Sequence, residues 1–154
     1  MTRHYWNPTN SGGGTLTFAE YAVDSEPIVV NDTDQPQAAL TGTTPILPAG
    51  DYEITISYLW SKGQNASCDF IANLLIDGAS VVTWGGDMHR QQPASVGGGD
   101  AAGTLTSQAY PASFVIPRSF ATNTTHTYQF QFQSEMTGER SAVRNVSLSF
   151  RQRP

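Results

Sequence analysis

The chain holds a single lysine, Lys62, and a single cysteine, Cys68. One cysteine excludes an intrachain disulfide and any metal cluster built on thiolates. Beside Phe70, Cys68 reads as a small packing residue. Charged residues make up only 14% of the 154 positions, and the formal net charge is −5. A protein binding nucleic acid through phosphates needs a basic surface, so that class is set aside. No apolar run approaches a membrane span, and the first residues, Met-Thr-Arg-His-Tyr-Trp-Asn-Pro, contain no apolar signal core. Folding in a cytoplasm is the expectation, and the Asn-X-Ser/Thr sequons at Asn31, Asn65, Asn123 and Asn145 then read as products of a Ser/Thr-rich composition. Long amphipathic helices are missing as well, because no segment carries a helical period with caps.

Ser, Thr, Asn, Gln and Gly fill the space that charge leaves, a profile suited to sheet surfaces. Length alone allows one domain that buries about 68–70% of its unfolded surface, enough to fold without a staple. The charge is uneven. Residues 1–77 hold nine acidic and two basic side chains, net −7, whereas residues 78–154 hold four and six, net +2. Arg140, Arg144, Arg151 and Arg153 crowd the end. An ordinary mixed surface accounts for this asymmetry, and complementarity to a partner is the sharper alternative.

Period-two alternation is the strongest signal. Tyr52, Ile54, Ile56, Tyr58 and Trp60 fall on one face of a strand over 51–61, with Glu53, Thr55, Ser57 and Ser61 on the other. Tyr128, Phe130 and Phe132 alternate with glutamines, and Val146, Leu148 and Phe150 with Asn145, Ser147 and Ser149. Such strands bury one face and wet the other. Further strands are expected at 15–23, 27–31, 36–41, 68–76, 80–84 and 112–116. Turns are expected at Leu47–Asp51 and Asn123–Thr125, and a hairpin at Asp77-Gly78. About eight short strands predict an all-β, antiparallel, jelly-roll-like β-sandwich over 15–154. Residues 1–14 read as a flexible N-terminal arm, with Tyr5 and Trp6 at its tip and Gly12, Gly13 and Gly14 as hinge. Residues 85–111 are glycine-rich and poor in apolar side chains, the mark of a long functional or mobile loop.

Candidate chemistry is sparse. Asp87 and His89 are spaced for two metal ligands but lack a third, and His4 and His126 have no acidic neighbour in sequence. No Gly-X-Ser-X-Gly elbow occurs, Gly97–Gly99 is not followed by Lys-Ser/Thr, and Asp24, Glu26, Asp32, Asp34, Asp77 and Asp100 fit turn chemistry. Neither catalysis nor a cofactor or metal is therefore expected. Tyr58 and Trp60 continue the core stripe rather than forming a sugar platform, which leaves Trp84, beside the long loop, as the aromatic for exposure.

Six stretches resemble a family of small tailed-phage virion proteins. They are Gly50–Ile54 with Tyr58–Ser61, Asp69–Ala72 with Asp77, Met88–Pro93, Tyr110–Phe114, His126–Phe130 and Arg144–Leu148, and the likeness spans about residues 50–150. The relatives often carry an acidic residue where Gln92 stands, a departure that weakens any cation-binding role for the loop. The resemblance implies a structural virion protein, made in the host cytoplasm. It would be a capsid decoration (cement) protein, forming a homotrimer on the major capsid protein, or a tail-fibre or carbohydrate-binding module facing host glycan. Partner contacts are expected from Tyr5, Trp6 and Gly12–Gly14, and from Trp84, Met88, His89 and Arg90. Nucleic acid and membrane are not expected partners.

Overall fold

Where apolar side chains recur every second residue, the chain is extended and paired. The structure, a computed structural model, describes residues 2–8, 19–25, 28–62, 69–81, 89–91 and 109–154, with backbone alone for 2–8, 19–20 and 89–91. Eleven strands are described: β1 (Thr2–Pro8), β2 (Ala19–Ser25), β3 (Val29–Asn31), β4 (Gln37–Thr43), β5 (Gly50–Lys62), β6 (Phe70–Ile76), β7 (Ala79–Ser80), β8 (His89–Gln91), β9 (Tyr110–Phe120), β10 (Thr127–Ser134) and β11 (Ser141–Gln152).

They form two antiparallel sheets. The first runs β1-β2-β11-β5-β9, with β3 continuing beside β11, and the second runs β4-β10-β6-β7, with β8 also against β6. The pairings nest: β2 with β11, β4 with β10, β5 with β9, and β6 with β7 and β8. A long antiparallel hairpin rolled around a barrel gives this pattern, the arrangement of a jelly roll. The predicted fold class is therefore the observed one.

The predicted stripe of β5 is the floor of the core, since Tyr52, Ile54, Ile56, Tyr58 and Trp60 are all buried. Aromatic rings carry the contact between the sheets. Tyr58 lies 4.6 Å from Phe130 between ring centres, and Trp60 stacks on Phe70 at 4.8 Å, which in turn stacks on Phe132 at 5.8 Å. Each such pair adds about 0.5–1.5 kcal/mol to the burial of its rings. The gap bordered by Tyr58, Phe114, Leu74 and Phe130 has a volume of only about 10 Å³, at the lower limit for one water. The core there is solid.

Two local devices set the register. Asp77 (φ 52°) and Gly78 (φ 76°) both take left-handed backbone between Ile76 and Ala79, which pair directly. This is the two-residue Asp-Gly hairpin with positive φ at both positions. In β11, three steps from Arg144 to Ser147 oppose two from Leu59 to Ser57, and Asn145 (φ 52°) is left-handed within that bulge. The bulge shifts the alternation by one residue, so Val143 and Val146 are both buried although three apart. The segment expected as an arm holds β1, where Tyr5 stands opposite Ala22 and Trp6 opposite Tyr21. Asp24, expected at a turn, lies within β2.

Candidate docking surface

Because β5 and β11 bury alternate residues, the remaining ones form the outer face of the first sheet. Strand order then arranges them in rows. Ser113, Ser57 and Ser147 lie in one row that continues to Asp24, and Val115, Thr55 and Ser149 in the next, continuing to Ala22. The third row is Pro117, Glu53 and Arg151. The two central rows over β9, β5 and β11 are thus uncharged and made of small side chains, and Val115 within them is 59% exposed.

Charge flanks these rows: Arg144 stands opposite Leu59 in the row beyond Ser57, and a denser group lies at the other end. Arg153 Nη2 donates to Glu53 Oε1 at 2.8 Å, with Arg151 and Gln152 beside them. Ser119 Oγ donates to Asp51 Oδ1, and Asp51, Tyr52, Pro117, Arg118, Ser119 and Arg153 line an open groove of about 370 Å³. Exposed cross-strand ion pairs of this kind contribute little stability, about 0–1 kcal/mol. Below the groove, Tyr52 donates its hydroxyl to Pro48 O at 2.9 Å, and burial raises its pKa.

Sequence spacing alone did not reveal the clasp at the other sheet. His126 Nδ1 lies 2.7 Å from Asp77 Oδ2, although the two are 49 residues apart. Asp77 Oδ1 also accepts the Thr127 amide at 2.9 Å, and the buried His126 ring stacks on Phe120 at 3.7 Å. Burial on its own raises the Asp77 pKa, but the bonds from His126 and Thr127 together outweigh it and leave the carboxyl below its ordinary value. With Nδ1 facing a carboxylate, Nε2 is buried and has no hydrogen-bond partner among the described residues. The arrangement fixes the hairpin and β10, and an open groove of about 300 Å³ beside it is lined by Gly78, Thr127, Gln129 and Thr41 among others.

At the opposite end, loops are tied together rather than open. Asn31 Nδ2 donates to Gln35 O and Phe132 O, and Asn31 Oδ1 accepts from the Thr33 amide and hydroxyl. Gln133 Nε2 donates to Asp34 O at 2.8 Å, and the Gly138 amide to Asp32 O at 3.1 Å. Asp32 and Asp34 therefore occupy turns, as their residue type suggested.

The expected contact residues are only partly placed. Tyr5 and Trp6 sit in β1, beside β2 in the first sheet, and His89 and Arg90 in β8, opposite Ala72 and Ile71 in the second. Gly12, Gly13, Gly14, Cys68, Trp84, Asp87, Met88 and Gln92 lie outside the described residues. Tyr58 and Trp60 are core, as expected. Among the described residues no three His, Cys, Asp or Glu side chains converge as metal ligands. Sequence reading missed Val115 as a surface residue, because it stands between Phe114 and Ile116 in an apolar run.

No family model matches the chain, and no curated protein matches it. Among solved structures it is similar to the insecticidal delta-endotoxin Cry8Ea1 of Bacillus thuringiensis, at 13% identity and TM-score 0.46, over 79% of this chain and 19% of that one. It is also similar to dimeric latent PorU of Porphyromonas gingivalis, at 12% identity and TM-score 0.49, over 96% of this chain and 14% of the other. A third likeness is to a pentameric capsid protein isolated from metagenomic phage sequences, at 17% identity and TM-score 0.31, covering 84% of this chain and 59% of that protein. The chain thus spans less than a fifth of the length of the first two proteins.

Proposed function

We propose that this jelly roll is a structural virion protein of a tailed phage, a capsid decoration protein that docks on the major capsid shell. The observation carrying the reading is the outer face of the first sheet. Its two central rows over β9, β5 and β11 are uncharged and made of small side chains, Val115 stands exposed at their β9 side, and charged side chains flank them. A neutral centre beside a polar rim suits a broad protein surface. A small-molecule site would instead be concave and enclosed. The aromatic core behind the face keeps it rigid, so docking orders few side chains on this side. The sequence resemblance over about residues 50–150 supports the reading too.

The test is co-sedimentation with phage shells that lack the protein. Val115→Glu places a charge in the neutral rows, at their β9 side, without touching the core. Binding at least about tenfold weaker is expected, because a charge buried there has no partner. Wild-type binding by the folded variant would rule this face out.

A further inference from the structure

Among the described residues two antiparallel sheets leave five margins: β9, β1 and the free side of β3 on the first, and β4 and the β7/β8 side on the second. An open margin invites pairing with another chain, so proteins blunt it with proline, charge or shortness. Four margins here are blunted, β3 by its length of three residues. β9 carries Pro111, Pro117 and Arg118, while β1 carries Arg3, His4 and Pro8. β7 has two residues, and β8 has three, one of them Arg90. β4, Gln-Ala-Ala-Leu-Thr-Gly-Thr, has seven residues and neither proline nor charge. Among the described residues nothing pairs with its outer side.

The direction of its free groups follows from one bond. The Thr44 amide donates to His126 O at 2.9 Å, toward the β10 side. In an antiparallel strand the amide and carbonyl of one residue share a side, and the side alternates. Gly42 and Leu40 therefore face β10, in register with Tyr128 and Phe130. Thr41 and Thr43 turn both groups outward, and both residues are exposed. The strand is regular from Leu40 to Thr43. Its register slips between Leu40 and Ala38, leaving Ala39 as the extra residue.

We propose that this edge pairs with itself: β4 of one copy adds antiparallel to β4 of a second about a two-fold axis, joining their second sheets. The occupant follows from charge. In a two-fold pairing each residue near the axis meets its own copy, so any charge there repels itself. β4 is the one full-length margin among the described strands that carries none. The blunted margins of a second copy are poor partners for it by the same argument. A register centred on Thr41 lets that residue exchange both bonds with its mate, about 5.5 Å away between Cα atoms. The unit built at this edge is a pair, rather than the trimer that the resemblance implies.

Sedimentation equilibrium of the free protein tests this without shells, and so apart from the docking proposal. The wild type is expected to show concentration-dependent dimers. Thr41→Lys, on an exposed side chain, sets like charges face to face and should weaken self-association at least about tenfold. Thr41→Pro removes the outward amide and should do the same, whereas Thr41→Ser should dimerise normally. Circular dichroism checks that each variant is folded. A wild type that stays monomeric, or dimers that survive folded Thr41→Lys, would overturn the proposal. So would dimers lost in Val115→Glu but kept in Thr41→Lys.

Discussion

The margins β9 and β4 make the same kind of ladder and end in opposite ways. β9 pairs with β5 along all of Tyr110–Phe120. Pro111 and Pro117 are six residues apart, hence of the same parity, and neither has an amide to give the ladder. Their nitrogens must then face away from β5, so two of the outward positions of β9 offer no donor. On β4 the outward positions Thr41 and Thr43 keep theirs. Among the described residues the same fold thus closes one edge and leaves another open, and the difference lies in a few residue types rather than in the architecture. It teaches where a neighbour can join by backbone bonds, and where it must dock on a face.

Both edges depend on one core, and the severest way to break the comparison is to remove what they share. Phe130→Ala empties the ring that packs on Tyr58 between the sheets. A loss of about 3–5 kcal/mol is expected in urea denaturation, with both edges lost together. A smaller and one-sided effect is expected at Gly42. A Cβ there would overlap the end of Tyr128, whose hydroxyl is hydrogen-bonded to Tyr21 at 2.9 Å inside the core. Burial, with that bond, raises the Tyr128 pKa and holds the phenol neutral. Gly42→Ala should cost about 1–3 kcal/mol and distort β4, while β9 keeps its pairing.

The smallest effect sharpens the account of what holds β10 beside the open edge of β4. Asp77 is held below its ordinary carboxylate pKa in the folded chain. Its bonds to His126 and Thr127 therefore stabilise fully above that ordinary value, and the contribution is lost as pH falls through the depressed folded one. Asp77→Asn keeps a residue tolerant of the left-handed turn but removes the charge. The variant's urea midpoint should fall less steeply than wild type between about pH 5 and pH 2. A parallel decline would mean that other carboxylates set the acid limit.

Much of the fold was legible because it is written in nearest-neighbour patterns. The β5 stripe, the Tyr128–Phe132 alternation and the Asp77-Gly78 turn each lie within a dozen residues, and all are found. Legibility ended where strands meet. His126 has no acidic neighbour in sequence, because Asp77 is 49 residues away. β8, with three residues, is too short to show a period. The rows joining Val115 to Thr55 and Ser149 exist only once β9, β5 and β11 are neighbours, and nothing local announces that order. The openness of β4 is hidden for the same reason. Its composition was visible from the start, but its position at a margin was not.

The central claim is that this domain works by docking on other proteins, and imaging tests it most directly. Phage shells lacking the protein would be mixed with the purified chain and examined by cryo-electron microscopy. The account predicts regular density at capsid lattice positions, with the outer face of β9, β5 and β11 toward the shell. Shells left bare, or density on the tail alone, would contradict it.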